Sequence, residues 1–389
     1  MKALVLTPST REVSLRELST PEPGPGEVLI RVHAVALNPV DELYVAKPLA
    51  VQDQRVIGTD FAGVVVDVSA DLDSSSDPRT KVGARVAGFH QGACSVNDRP
   101  GAFAEYVTAP YDLLWKVPAN LSLEAASTIS MCGLTAAQVI FARLGLPSPF
   151  ASTSGFLPSQ DRDAGESINV LINGASSSVG LYAAQLVHLA SQASGRKFRL
   201  IGTASRSKHE LLRGPPYSYD VLIDYRDQDW PAKVREATGG NGVDYALDCI
   251  SEGETVYNTH STLGPEAKFA VIRGTAGGGY DPSKLRVKPI YGAAWEGLGV
   301  EIGYNDITVP ADPEARAFTT QFYSFLGSEA AAGKVKLEPN PVRNMPGGLE
   351  RIVPDGLALL SGFVSKRTEV GRTEQYMRPI SAEKLVYTI

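Results

Sequence analysis

The stretch Ser167–Gly180, SINVLINGASSSVG, decides the fold. An apolar, β-prone run stops at Gly174, small residues follow, and a helical pattern starts at Val179. A strand, a tight turn and a helix N-terminus in that order cradle a pyrophosphate. N–H groups of the turn point at the anion, and the dipoles of the first helical turn favour its charge. The strict Gly-x-Gly-x-x-Gly spacing is not met, because Ala175 and Ser177 stand at the first two glycine positions. Both are small enough to preserve a close phosphate approach. Ser176, Ser177, Val179 and Gly180 are the expected pyrophosphate residues.

Working outward, Val179, Tyr182, Ala183, Leu186, Val187 and Ala190 share one helical face. KFRLIGTAS (197–205), YDVLID (219–224), VDYALDCI (243–250) and KFAVIRG (268–274) read as further strands, with a helix near Pro231–Thr238. Strands alternating with helices imply an α/β unit with a doubly wound parallel sheet. The second strand speaks to the cofactor. A unit that binds NAD usually ends this strand with a carboxylate for the ribose 2′-hydroxyl. Here the end reads Gly202-Thr203-Ala204-Ser205-Arg206-Ser207-Lys208, with no acid before Glu210. Hydroxyls and two cations suit a 2′-phosphate, so NADPH is the expected cofactor. The plain alternative is that Arg206 and Lys208 are solvated residues opening a surface helix.

Upstream the pattern changes. Met1–Leu6, Val13–Leu18, Glu27–Ala36, Val64–Val68, Arg85–Ala87 and Ala102–Thr108 read as short strands punctuated by Pro and Gly, as in PEPGPGE (21–27). Leu123–Leu144 reads as helical. LPSPFASTSGFLPSQDRDAG (146–165) reads as a surface loop. The length of 389 residues suggests two domains. A net charge of −6 argues against nucleic acid as the main partner. No uninterrupted apolar run reaches membrane-spanning length, and MKALVLTPST lacks a secretory core. Three scattered cysteines, Cys94, Cys132 and Cys249, suggest a reducing compartment, and the expected location is the cytoplasm.

VIGTDFAGVVV (56–66), GARVAG (83–88), GAFAEYV (101–107) and SLEAASTISMCGLTA (122–136) resemble the medium-chain dehydrogenase/reductase superfamily. Asn38-Pro39-Val40-Asp41 resembles its quinone-reductase-like, zinc-free branch. LGLPSPF (144–150), YALDCIS (245–251) and the ending SAEKLVYTI resemble the stand-alone enoyl reductases that act in trans with fungal polyketide synthases. The resemblance implies a GroES-like, β-rich catalytic domain over 1–140 and 290–389, with a Rossmann cofactor domain over 141–289. It implies no metal, since Asn38 and Thr59-Asp60 stand where zinc-dependent relatives carry ligands, and the five histidines show no ligand spacing. His33 and His188 lie in apolar patterns and read as structural.

The resemblance also implies roles. Asn38 and Asp41 face the nicotinamide end of the substrate cleft, with Asn38 a donor to substrate or carboxamide. Thr135 begins a helical turn beside the nicotinamide ribose. Ser205, Lys208 and Tyr225 surround the 2′-phosphate, Ile250 and Gly274 flank the cofactor, and Lys384 lies near its phosphates. Lys47, just beyond Asp41, is placed to donate to a thioester oxygen or attract a phosphopantetheine phosphate. A solvated lysine is its plain alternative. One departure stands out: RTEVGRTEQYMRP (367–379) interrupts the usual passage from helix to terminal strand. The expected activity is NADPH-dependent reduction of an α,β-unsaturated polyketide thioester carried by a synthase acyl carrier. A quinone or free-enone reductase, and a non-redox cyclase or scaffold retaining cofactor binding, are the alternatives.

Overall fold

In the computed structural model, which describes residues 1–48, 54–94, 99–150, 167–304, 307–362, 364 and 371–389, the chain divides into two compact units. One takes Met1–Met131 and most of the chain from Trp295 onward, the other Cys132–Ala294. The dividing points are thus Met131/Cys132 and Ala294/Trp295, where the sequence reading placed them at 140/141 and 289/290.

The Cys132–Ala294 unit is α/β. Its five strands run in the order Val221–Ile223, Phe198–Thr203, Ile168–Asn173, Val243–Asp248, Leu263–Val271, and every pairing is parallel. The chain moves outward from Ile168–Asn173 to one edge, then returns to its other side. That reversal leaves a crevice at the strands' C-terminal ends, where ligands of such sheets bind. The last strand starts at Leu263, five residues earlier than the pattern at 268 suggested. Its LGPEA opening lacks the apolar run that flags a buried strand. The helix Ser178–Ser194 presents the expected stripe: Tyr182, Ala183, Leu186, Val187 and Ala190 are 0% exposed and Val179 8%. Burying a large aliphatic side chain contributes about 1.5–3 kcal/mol, so this stripe, more than helix propensity, holds the helix on the sheet. Gly195, in the left-handed conformation at φ 66°, ends it. The expected loop at 146–165 lies mostly outside the described residues.

The other unit is β-rich. A sheet runs in the order Val342–Asn344, Lys384–Thr388, Glu27–Ala36, Asp60–Val68, Arg85–Phe89, Trp115–Lys116, and Tyr106–Pro110 also pairs with Glu27–Ala36. A second, three-stranded sheet joins Glu12–Glu17, Lys2–Thr7 and Arg55–Val56. The strand expected at Ala102–Thr108 forms only at Tyr106–Pro110. Its first half bonds instead to the strand Lys2–Thr7 and to the residue after Arg55–Val56, as in Leu4 N–H to Phe103 O and Phe103 N–H to Ile57 O, both 2.9 Å. The helical stretch Leu123–Arg143 is long and apolar enough to cross a membrane, but its most apolar window is 83% buried inside the protein. His33 is not a core histidine: its side chain is 45% exposed and meets Glu124 at 3.1 Å. His188 is partly buried, with Nε2 2.7 Å from the Tyr217 carbonyl.

The described part of the 367–379 insertion is anchored to this unit. Met377 is 2% exposed in the core, and Tyr376 packs against it. Arg343, itself 4% exposed, donates to the carbonyls of Tyr376, Arg378 and Pro379 and pairs with Glu383. One buried guanidinium thus satisfies three loop carbonyls that would otherwise be costly to bury.

Candidate functional site

In the Cys132–Ala294 unit, Gly174 turns the chain at φ 75°, in the left-handed region glycine tolerates. A Cβ there would also meet Ile250 Cδ1 at 2.9 Å. Ser177 caps the helix, its Oγ accepting from Gly180 N–H at 3.1 Å. Gly180 is required for another reason: a Cβ would collide with the Gly174 carbonyl and stand 2.9 Å from that of Ala175. The turn rests on a buried polar network spanning three strands. Thr203 Oγ1 donates to Asn173 Oδ1 and accepts from Gly174 N–H at 3.1 Å. Asn173 Nδ2 donates to Asp248 Oδ1 at 2.9 Å, and Thr255 Oγ1 donates to Asp248 Oδ2 at 2.7 Å. Burial raises the Asp248 carboxyl, opposed by these donors. The N–H groups of the first helical turn have no intrahelical acceptor, and the network holds the turn that aims them. Burial also raises the neighbouring Cys249 thiol, which leaves it neutral.

The second strand ends as expected in hydroxyls and cations. Ser205 and Ser207 place their Oγ atoms 3.5 Å apart, Arg206 is exposed and Lys208 half-buried. The sequence reading missed Asp224, from the next strand's end. It accepts from Arg206 N–H at 3.1 Å and Arg226 N–H at 3.0 Å. These backbone donors and the Arg226 charge outweigh desolvation and hold its carboxyl below the usual range. Both its oxygens are committed to shaping the loop. Tyr225 is 51% exposed, with the Arg226 guanidinium 5.3 Å above its ring. Gly274 follows the last strand, and a Cβ on it would lie 3.2 Å from the Tyr291 ring. The cofactor residues named from sequence, Lys384 excepted, therefore all belong to this unit.

Lys384, expected near the cofactor phosphates, lies in the β-rich unit, 2% exposed, with Nζ 2.6 Å from Asp60 Oδ2. Strand register produces the pair. Ala36 is flanked by Val386 on one side and Asp60 on the other, so Lys384, two residues before Val386, shares a face with Asp60. Lys384 also donates to Thr128 O at 3.4 Å, and Asp60 Oδ1 accepts from Met131 N–H at 2.9 Å. Asn38 joins them: Nδ2 lies 2.8 Å from Thr59 Oγ1 and 2.9 Å from Asp60 Oδ2. Asn38 is the N-cap of the helix Pro39–Ala46, and its N–H donates to Asp41 Oδ2 at 2.7 Å. Asp41 is 5% exposed, and burial pushes its carboxyl up to about 7 against the Asn38 and Thr59 hydrogen bonds.

Thr135 sits differently from expectation, and Lys47 is open to solvent. Thr135 lies in the middle of the helix Ser130–Ala137, half-buried, rather than at a helix start. Lys47 is the exposed C-cap of Pro39–Ala46, with its N–H on Leu43 O at 2.8 Å. Among the described residues, no three His, Cys, Asp or Glu side chains converge to hold a metal ion.

The GroES-like domain model of alcohol dehydrogenases matches residues 24–119. The chain is 31% identical over 374 residues to the trans-enoyl reductase ACTTS2 of Alternaria alternata, covering 94% of this chain and 96% of the relative. Among solved structures, the CurK enoyl reductase superposes with a TM-score of 0.69 at 18% identity, covering 100% of this chain and 98% of that one. Mycobacterial Rv1454c, solved in complex with NADPH, superposes with a TM-score of 0.65 at 21% identity, covering 100% of both chains. By its β-rich and Rossmann units, and by similarity running almost end to end, the chain belongs to the trans-enoyl reductase family of the medium-chain dehydrogenases/reductases.

Proposed function

We propose that this protein is an NADPH-dependent enoyl reductase that reduces an α,β-unsaturated polyketide thioester presented by the acyl carrier of a separate synthase. The observation that carries the cofactor choice is the strand end Thr203–Lys208, where Ser205, Arg206 and Lys208 gather and Asp224, the carboxylate bonded to Arg206 N–H, has both oxygens committed to backbone. Ser176–Gly180 would hold the pyrophosphate, and Ser205, Lys208 and Tyr225 the 2′-phosphate. When bound, the reduced nicotinamide supplies a hydride for the β-carbon of a conjugated acceptor.

That leaves the chain two tasks: to stabilise negative charge on the thioester oxygen and to see a proton delivered to the α-carbon. One well-placed donor at such an oxygen contributes about 3–4 kcal/mol, and orientation up to about 7–11 kcal/mol. On the β-rich unit exposed Lys47 is the proposed donor to the thioester oxygen or contact for phosphopantetheine, while Asn38, whose two amide hydrogens reach Thr59 Oγ1 and Asp60 Oδ2, is proposed to hold that side of the site in shape. The reaction needs no Lewis acid, and Asp60, which stands where zinc-dependent relatives carry ligands, is here paired with the Lys384 ammonium. Three buried free thiols fit a reducing, cytosolic setting.

Titration with NADPH and NADH, followed by turnover on crotonyl groups attached to an acyl carrier and on free quinones, tests this reading. Tighter binding of NADPH, and turnover on the carrier-bound enoyl thioester but not on quinones, is expected. Equal affinity for the two dinucleotides removes the cofactor assignment, and turnover on quinones alone removes the substrate.

A further inference from the structure

The β-rich unit holds a buried carboxyl that the proposed chemistry leaves without a task. Asp41 accepts the Asn38 N–H through Oδ2, and its Oδ1 has no hydrogen-bond partner. The groups facing it come from four segments. Asp60 and Thr59 lie at the start of one strand, Lys384 at the start of the terminal strand, and Cys94 in the turn after Arg85–Phe89. Arg55 completes the set, near Cys94 and with Nη2 2.8 Å from Gly92 O. Cys94 is buried and its thiol pushed well up, so it adds no charge. Lys384 is committed to Asp60, which also receives Asn38 Nδ2 and Met131 N–H. Among the described residues, no cation is paired with Asp41. An ionised carboxylate with an unpartnered buried oxygen next to a second carboxylate is costly, whereas a neutral acid in the same place is not. The helix N-terminus and the Asn38 N–H favour the anion, but burial outweighs them and raises the carboxyl to about 7.

We propose that Asp41 works as a neutral carboxylic acid that holds Asn38 in its cluster with Asp60 and Lys384, and that its ionisation sets the alkaline limit of turnover. The inference rests on the enoyl-reductase reading above. Ionised Asp41 draws the Lys384 ammonium towards itself, and that pull competes with the Lys384–Asp60 bond on which the Asn38 carboxamide also rests. Asp41 is a positioning residue, since nothing places it against substrate.

The test compares wild type with Asp41→Asn, whose carboxamide still accepts the Asn38 N–H but cannot ionise. The kcat for NADPH oxidation with a crotonyl thioester is followed from pH 5.5 to 9. Wild-type kcat falls above about pH 7, approaching tenfold per pH unit. Asp41→Asn is several-fold slower at pH 6 but lacks that limb. Melting temperatures of both proteins without cofactor or substrate form a second arm, and Asp41→Asn gains on wild type as pH rises from 5 to 8. Should Asp41→Asn not fold, infrared spectra of the wild-type protein decide, by the loss of a protonated carboxylic-acid band between pH 6 and 8. The same alkaline limb in Asp41→Asn, a pH-independent melting difference or the absence of the acid band overturns the proposal. Wild type that turns over no enoyl thioester overturns the functional reading and the positioning role with it, while the melting and infrared arms still decide the charge state of Asp41.

Discussion

The dinucleotide turn and the Asn38–Asp60–Lys384 cluster are both buried polar networks, yet the chain builds them in opposite ways. The turn is local: Asn173, Gly174, Ser177 and Gly180 lie within one strand–turn–helix, braced by Thr203 and Asp248 from the adjacent strands. The cluster joins residues 22 and 324 positions apart, Asn38 to Asp60 and Asp60 to Lys384. The turn uses neutral donors and small residues and aims N–H groups at an anion. The cluster encloses full charges, which makes each member depend on the others.

That contrast ranks the expected effects. The largest belongs to the ion pair. Lys384→Met leaves Asp60, 0% exposed, as an uncompensated buried charge and is expected to cost about 3–5 kcal/mol in denaturant unfolding. The double variant Asp60→Asn/Lys384→Met should recover much of that loss. Additive losses would mean that the two side chains are not coupled. Next is the pH dependence of stability set by Asp41. Its folded-state carboxyl lies above the ordinary value, so the folded protein binds that proton more tightly than the unfolded chain. Stability from this group is therefore complete below about pH 4 and lost as pH rises through about 7, by at most about 4 kcal/mol for a rise from 3.8 to about 7. Unfolding curves at pH 5 and 8 for wild type and Asp41→Asn measure it.

Effects at the turn are read most directly in ligand binding. Gly180→Ala drives a methyl into the Gly174 carbonyl and should raise the dissociation constant for NADPH at least tenfold, about 1.4 kcal/mol. Arg206→Ala/Lys208→Ala should weaken NADPH by a similar factor and leave NADH unchanged. Equal weakening of both dinucleotides would place the cations away from the 2′-phosphate. The smallest effect belongs to an exposed counterpart of the buried pair. His33→Ala removes a contact with Glu124 in which the histidine side chain is 45% exposed, and should change stability by less than about 1 kcal/mol.

The same contrast explains what the sequence makes legible. The Rossmann unit is readable because its signals are local. The apolar stripe of Ser178–Ser194 follows helical spacing, and the acid missing from 203–208 is visible within one segment. Where the local signal weakens, the reading slips. LGPEA conceals the start of a strand, and the apolar Ala102–Thr108 looks like strand although half of it serves as a connector. Asp224 is missed because it acts on a loop 18 residues earlier in the chain. The partner of Lys384 is missed because motif resemblance gives a residue's neighbourhood in the chain, not the side chain it meets. Only the register of Lys384–Thr388 on Glu27–Ala36, and of that strand on Asp60–Val68, brings ammonium and carboxylate together. Thr59 and Asp60 were read only as absent metal ligands, and a polar pair in otherwise apolar VIGTDFAGVVV was the available signal that they face a buried partner.

The most direct test of the account is intact mass spectrometry of a crotonyl-loaded acyl carrier protein after incubation with this enzyme and NADPH. The account predicts a gain of two hydrogen atoms on the carrier-bound acyl group, matched by NADPH consumed, and little conversion when NADH is supplied instead. An unchanged acyl mass with NADPH present, across carrier-bound enoyl groups of different lengths, would contradict it.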